Sequence, residues 1–368
     1  MFLPKNQIKR NRLLAATLLC AAALVPASLM RSQSNVPSTD ILYVGDTADN
    51  TIKRFNAGTG SFLDSQAGAF VLPGSGGLRG PRGIIIDPFL GNNLIVVNQN
   101  VDLNFAGEIL EYSAADGQFI APIVPCNKPT GRTCDSNAPF APRGIVRSSD
   151  GRFVVANIGK KEIGSVAQFD ETGAFLGNLD FADFTGDSFG EYHPRGVVFG
   201  ADGKLYVSVV GNLDPNDPHF NPLAGFILRF QNGTFLDVFA SDSTCPALHR
   251  PEGLVFGPDG KLYVTSFRAD TNDTDKVLIF KGAGTCSGKI DLDTVGGVRT
   301  YAQALLFGPG GRLFVPISNT GEVRSYDVQS KHFQSFVNAF GGPSGGPLQA
   351  PYYLTFGNTD PGTLQYGR

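Results

Sequence analysis

One phrase recurs along the chain and restricts its fold more than any other feature: proline, a variable residue, glycine, an apolar strand, a tight turn and a second apolar strand. Pro81-Arg82-Gly83-Ile84-Ile85-Ile86 leads to Leu94-Ile95-Val96-Val97, and Pro142-Arg143-Gly144-Ile145-Val146 leads through Asp150-Gly151 to Phe153-Val154-Val155. Pro194-Arg195-Gly196-Val197-Val198-Phe199 and Pro251-Glu252-Gly253-Leu254-Val255-Phe256 pass through Asp202-Gly203 and Asp259-Gly260 to Leu205-Tyr206-Val207 and Leu262-Tyr263-Val264. A degenerate copy, Ala302-Gln303-Ala304-Leu305-Leu306-Phe307, reaches Leu313-Phe314-Val315, and Pro351-Tyr352-Tyr353-Leu354-Thr355-Phe356 closes the series. The third residues of the phrases fall at 83, 144, 196, 253, 304 and 353, a repeat of 49 to 61 residues. That period fits one four-stranded propeller blade with loops of variable length.

Third and fourth strands follow each phrase, as in Phe226-Ile227-Leu228-Arg229-Phe230 and Gly233 to Phe239, or Val277-Leu278-Ile279-Phe280. Strands this short cannot bury both faces alone; sheets stacked around an axis can. The ends complement each other. Ile41 to Val44, Thr51 to Phe55 and Ser61 to Leu63 supply second, third and fourth strands without a first, and the last phrase supplies a first strand with little after it. Pairing them closes a ring of six blades and hides the sheet edges. Composition agrees: 46 Gly, 24 Pro, 29 Phe and 10 Tyr with only 17 % charged residues suit short strands and tight turns, against roughly 25 % charge in ordinary soluble domains. The expected fold is all-β, a six-bladed β-propeller of four-stranded blades over 35–368, closed by its N- and C-terminal strands.

Asp46-Thr47-Ala48-Asp49-Asn50-Thr51-Ile52-Lys53-Arg54-Phe55 and the Pro-Arg-Gly-Ile phrases resemble NHL repeats. Residues 40 to 366 resemble the six-bladed group that includes SMP-30/gluconolactonase-type lactonases, strictosidine synthase-like proteins and, more distantly, streptogramin lyases. The resemblance implies a site on the face where the phrases begin. It does not choose between hydrolases, lyases and binding modules, because this architecture hosts all of them. In the SMP-30-type lactonases a Glu with Asn/Asp ligands holds a divalent ion; here Glu252 matches in type, while arginines stand at three of the other mouth positions. No Gly-x-Ser-x-Gly, P-loop or His-Glu-x-x-His motif is present.

The variable residues of the six phrases, Arg82, Arg143, Arg195, Glu252, Gln303 and Tyr352, are expected to ring the channel mouth. Three guanidiniums with one carboxylate favour an anionic ligand, since Arg presents forked donors matched to carboxylate or phosphate; the alternative is that they are struts between blades. His193, His249 and His219 map to the same face, so Glu252, His193 and His249 form a candidate acid–base or metal-binding set, with Glu252 the candidate metal ligand. Asp270 to Asp275 packs three carboxylates and an amide into a loop that could hold one divalent cation such as Ca²⁺ or be a solvated turn. Asn232-Gly233-Thr234 and Asn272-Asp273-Thr274 fit the glycosylation pattern. Two functions stand: a binding or interaction module for a small anionic ligand or a protein partner at the mouth, or a metal-dependent lactonase, ester hydrolase or lyase working there.

Residues 1–34 read as a secretory signal peptide: Lys5, Lys9, Arg10 and Arg12, then an apolar run from Leu13 to Val25, then small residues. The competing reading is an uncleaved anchor that tethers the chain to a membrane. The run is too short for the ~20 residues of a spanning helix. Without that segment 25 basic face 33 acidic residues, a net charge near −8, which argues against nucleic acid and anionic membranes as partners. The expected form is a monomer, secreted or periplasmic. Cys126 and Cys134 lie eight apart in one loop and are expected to pair; Cys245 and Cys286 then pair by elimination.

Overall fold

The computed structural model describes residues 39–64, 68–100, 106–126, 131–159, 164–181, 192–213, 215–216, 220–341 and 345–367. The proposed signal segment lies outside them, as does His219. Strands β1 (Ile41–Asp46) and β2 (Thr51–Asn56) come first. Five sheets follow in chain order. They are β3 (Pro81–Asp87), β4 (Asn93–Asn98), β5 (Glu108–Tyr112) and β6 (Phe119–Val124); β7 (Pro142–Arg147), β8 (Phe153–Asn157), β9 (Ser165–Phe169) and β10 (Phe175–Asn178); and β11 (His193–Phe199), β12 (Leu205–Val210), β13 (Gly225–Gln231) and β14 (Thr234–Ser241). The fourth holds β15 (Pro251–Phe256), β16 (Leu262–Ser266), β17 (Lys276–Lys281) and β18 (Thr285–Asp291), and the fifth β19 (Leu306–Phe307), β20 (Leu313–Ile317), β21 (Glu322–Tyr326) and β22 (Phe333–Val337). β23 (Pro351–Phe356) returns to pair with β1, from Leu42↔Phe356 to Asp46↔Pro351. The result is the expected closed ring of six antiparallel blades.

Two details differ from the sequence reading. In the closing blade, Ser61 to Leu63 form no fourth strand: single bridges at Phe55↔Phe62 and Ile52↔Val71 take its place. The Asp64 carboxylate accepts the Arg54 backbone N–H at 2.6 Å, so a side chain satisfies what a ladder would have. In the fifth blade, which lacks both Pro and Gly in its phrase, only Leu306 and Phe307 pair with β20.

Each inner strand buries both faces, one against each neighbouring blade, as expected for near-continuous apolar runs. Ile84 and Ile86 pack with Tyr43, Ile52 and Tyr353 of the closing blade, whereas Ile85 packs with Ile145, Phe153 and Val155 of the next. The Asp-Gly turns repeat down to their hydrogen bonds. Asp202 accepts from Lys204 Nζ at 2.8 Å and Tyr206 Oη at 3.1 Å, and Asp259 accepts from Lys261 Nζ and Tyr263 Oη at the same distances.

Both expected disulfides form. Cys126–Cys134 closes a loop anchored by the buried Glu108, which accepts the Cys126 N–H at 3.0 Å and pairs with Arg132 at 2.8 Å. Cys245–Cys286 links the connection after β14 to the outer strand β18 of the next blade. Replacing Cys245 and Cys286 by serine is expected to cost about 2–4 kcal/mol in a urea melt; an unchanged midpoint would show that the inter-blade apolar contacts alone hold these sheets together. Disulfides are chemistry of an oxidising compartment, and among the described residues no helix is long and apolar enough to cross a membrane.

The tail after β23 crosses the far end of the ring. The Pro361 carbonyl accepts the Arg147 N–H at 2.9 Å and the Gly362 carbonyl accepts the Phe199 N–H at 3.1 Å. Leu364 then reaches the axis, where it packs against four hydrophobic clusters drawn from around the ring.

Candidate functional site

The Pro-x-Gly phrase builds the opposite end of the channel. In four blades the register between inner strand and neighbour slips across the variable residue and its glycine, between Pro81 and Ile84, Pro142 and Ile145, Pro194 and Val197, and Pro251 and Leu254. Such a bulge bends the strand and re-aims a side chain. The glycine is needed because the next blade approaches so closely. A Cβ on Gly83 would lie 2.6 Å from the Arg143 carbonyl oxygen, one on Gly196 2.6 Å from that of Glu252, and one on Gly253 2.9 Å from that of Gln303. The freed Gly196 and Gly253 N–H groups donate to Ser208 Oγ and Thr265 Oγ1, each at 2.8 Å. The variable residues are thereby set side by side around the mouth.

Their side chains form one electrostatic cluster. Arg82 Nε and Arg143 Nη1 share one acceptor, Gln99 Oε1, at 2.6 and 2.7 Å. The Arg82 guanidinium also stacks 4.4 Å above the Tyr352 ring. Arg195 Nη1 stands 3.3 Å from Glu252 Oε1, long for a charge-assisted bond. Arg82 and Glu252 are buried; Arg143, Arg195, Gln303 and Tyr352 are half-buried. Three guanidiniums and one carboxylate leave a formal excess of two positive charges. Burial first, and the Arg143 charge second, pull Arg82 down to about 9. Burial lowers Arg195 as well, with Glu252 acting against it.

Several buried polar atoms of this mouth have no hydrogen-bond partner among the described residues: Arg82 Nη1, Arg143 Nε, Arg195 Nε, Glu252 Oε2, Gln303 Oε1 and the Tyr353 hydroxyl. Native interiors seldom tolerate such groups, and each asks for a partner or an explanation. Two members escaped the sequence reading. Tyr353 holds the position that glycine holds in four other phrases, and that replacement was the visible signal that a ring must fill the axis there. Burial, then the Glu252 charge, push its hydroxyl up to about 12, so it stays protonated. Gln99 follows β4 with no sequence mark of its role.

The histidines sit on the mouth side but in different settings. His193 opens β11 with Nδ1 2.6 Å from the Ile158 carbonyl oxygen. The His249 backbone N–H donates to Ser266 Oγ at 2.9 Å, and its Nδ1 is buried without a partner among the described residues. Glu252 is engaged by Arg195, and among the described residues no group of three or more His, Cys, Asp or Glu side chains could hold a metal ion. Two carboxylates of the Asp270–Asp275 loop are paired with cations that follow it: Asp273 with Lys276 at 2.7 Å, and buried Asp275 with Arg299 at 2.7 Å. Hydrogen bonds from Arg299 and from the Arg268 and Tyr301 N–H groups hold the Asp275 carboxyl below the usual carboxylate range despite its burial.

Below the mouth lies a cavity of about 40 Å³ lined by Gly83, Gly144, Gly196, Gly253, Tyr353 and Leu364 among others. Its floor is Leu364 of the tail.

No known family description matches the chain. It is 27 % identical over 201 residues to the peptidyl-glycine alpha-amidating monooxygenases B and A of Xenopus laevis, covering 52 % of this chain but only 19 % and 18 % of theirs. The chain thus spans about a fifth of the length of these curated relatives. Among solved structures it is similar to the periplasmic gluconolactonase PpgL of Pseudomonas aeruginosa, with TM-score 0.53 and 17 % identity over 86 % of this chain and 98 % of that one. It is also similar to hydrazine synthase of Kuenenia stuttgartiensis, with TM-score 0.51 and 17 % identity over 79 % and 74 %. At such identities the likeness concerns architecture alone. The chain is a six-bladed β-propeller that has the periplasmic gluconolactonase among its structural neighbours.

Proposed function

We propose that the propeller is an exported binding module whose mouth takes a small anionic ligand. The observation that carries this reading is the excess of buried cationic donors: Arg82, Arg143 and Arg195 against Glu252 alone, each arginine with an unpartnered buried N–H. Guanidiniums in a low-dielectric mouth repel one another, and an oxyanion with several acceptor oxygens both offsets that repulsion and fills the open donors. Gln99, a neutral amide shared by Arg82 and Arg143, supports the same view, because it orients two guanidiniums without cancelling their charge. The donor set suits an anion better than a cation. The lactonase, ester hydrolase and lyase readings draw on the architecture of the neighbours and find no assembled metal ligands among the described residues.

Succinate and sulfate are expected to raise the melting temperature in a saturable way, beyond sodium chloride at equal ionic strength. At a hundredfold excess over Kd the gain is about 2.7 kcal/mol, several °C for a domain of this size. Arg143→Ala and Arg195→Ala should each shrink the shift while leaving the unliganded transition cooperative. If the shift is absent, or both variants keep it in full, the arginines are inter-blade struts and the mouth binds no anion.

A further inference from the structure

Resting on the anion-binding reading, we infer that the ligand also carries a hydrogen-bond donor beside its acidic groups, and that its class is a hydroxy-dicarboxylate. The mouth has two chemically different sides. On one, Arg82, Arg143 and Arg195 offer N–H donors to oxyanions. On the other, Glu252 and Gln303, variable residues of consecutive blades, present buried acceptor oxygens, Glu252 Oε2 and Gln303 Oε1, that no described residue fills.

A simple anion satisfies only the first side. Its oxygens would face the Glu252 carboxylate with nothing to share, leaving one repulsive contact and one buried acceptor unsatisfied. The Gln303 amide can turn over and offer its N–H groups instead, but an ionised carboxylate only accepts. Glu252 cannot turn away from the task either, because its other oxygen faces Arg195. A ligand hydroxyl donated to Glu252 Oε2 removes both penalties. Charge sets the rest of the class: two carboxylates offset the excess of the three arginines over Glu252 better than a monoanion or a zwitterion, the more so because Arg250 adds its charge to the field at Arg195 and Glu252. The protonated Tyr353 hydroxyl, within the field of Glu252 and all three arginines, can donate to a ligand carboxylate or accept from its hydroxyl.

Matched ligands test this on the full-length protein. Succinate and malate carry the same two carboxylates and differ by one hydroxyl. Titration calorimetry with the wild-type protein is expected to show one malate enantiomer binding at least about tenfold more tightly than succinate, the discrimination one charge-assisted hydrogen bond provides. Glu252→Gln should strengthen succinate binding, since it removes a negative charge, and lower the malate-to-succinate ratio several-fold, since an amide oxygen accepts the hydroxyl without charge assistance. Equal wild-type affinities for succinate and both malate enantiomers would overturn this inference while leaving the anion-binding reading intact. A ratio undiminished by Glu252→Gln would remove Glu252 from the role. Binding of neither ligand, together with no saturable stabilisation by sulfate, would overturn both readings. The wild-type comparison needs no variant, so a Glu252→Gln protein that fails to fold leaves the decisive measurement in place.

Discussion

A chain ending at residue 350 is expected to show no cooperative unfolding transition and to elute as aggregate. The truncation removes β23, the inner strand of the closing blade, and leaves β1 with an unpaired edge from Leu42 to Asp46. It also leaves a buried polar knot at the new chain end, without the strand that holds it in place. The Asp46 carboxylate accepts the Gln349 and Ala350 N–H groups at 2.7 and 2.9 Å and holds buried Lys53 at 2.8 Å, so the order of residues 349 and 350 depends on the strand that follows. The newly exposed edge of β1 invites pairing between molecules. A second truncation, ending after Gly357, keeps the strand and discards the tail with Leu364. It should fold but melt earlier, which separates ring closure from axial packing. A chain ending at 350 that melted like the full-length protein would show that the termini do not close the ring.

Asp87→Ala is expected to destabilise by about 3–5 kcal/mol, the usual consequence of leaving a buried charge without its partner. Arg147 and Asp87 meet at 3.1 Å with both side chains fully buried, at the end of the inner strands away from the mouth. Arg147 stands at the sixth place of its phrase, where four other blades carry Phe199, Phe256, Phe307 and Phe356. Its guanidinium lies 3.9 Å from the Phe153 ring centre and 5.3 Å from that of Phe89, so it occupies an aromatic slot. Burial lowers its pKa, and the Asp87 charge acts in the opposite direction. Asp87 also accepts the Phe89 N–H at 2.9 Å, a turn-capping bond that asparagine can keep. The double replacement Asp87→Asn with Arg147→Phe should therefore recover most of the stability, because apolar substitutes for a buried pair are often neutral or better. Urea melts of the two proteins decide it. A cost below about 1 kcal/mol for Asp87→Ala would mean that water reaches Arg147.

How much of this was legible beforehand follows from what each feature depends on. The ring, its blade number and its closure rest on a periodic pattern, and periodicity is a property of sequence. Both disulfides were legible because few cysteines leave few pairings. The mouth was half legible. Arg82, Arg143, Arg195 and Glu252 share one phrase position, and the bulge there fixes where such residues go. Gln99 was not legible, because its role comes from lying between two blades, and no periodicity marks it. Tyr353 could have been found, since a bulky residue at a glycine position must displace something. Ser61 to Leu63 were overread as a strand because an edge segment can meet its hydrogen-bond needs through Asp64 instead. The tail was underread: twelve residues after β23 looked spare, and Leu364 is apolar but isolated in sequence. Only the fold shows that it stands where the blades converge.

Leu364, packed against clusters from around the ring, narrows its axis at the end away from the mouth. A through-passage could let a substrate arrive at one side and a product depart at the other, and it could relay an ion or a small molecule across the disc. A blind passage does neither. If the mouth holds the anion proposed above, arrival and departure share one doorway, past the arginines. Residence time then limits how often the doorway changes hands, and substitutions there should be felt mainly in the rate of escape.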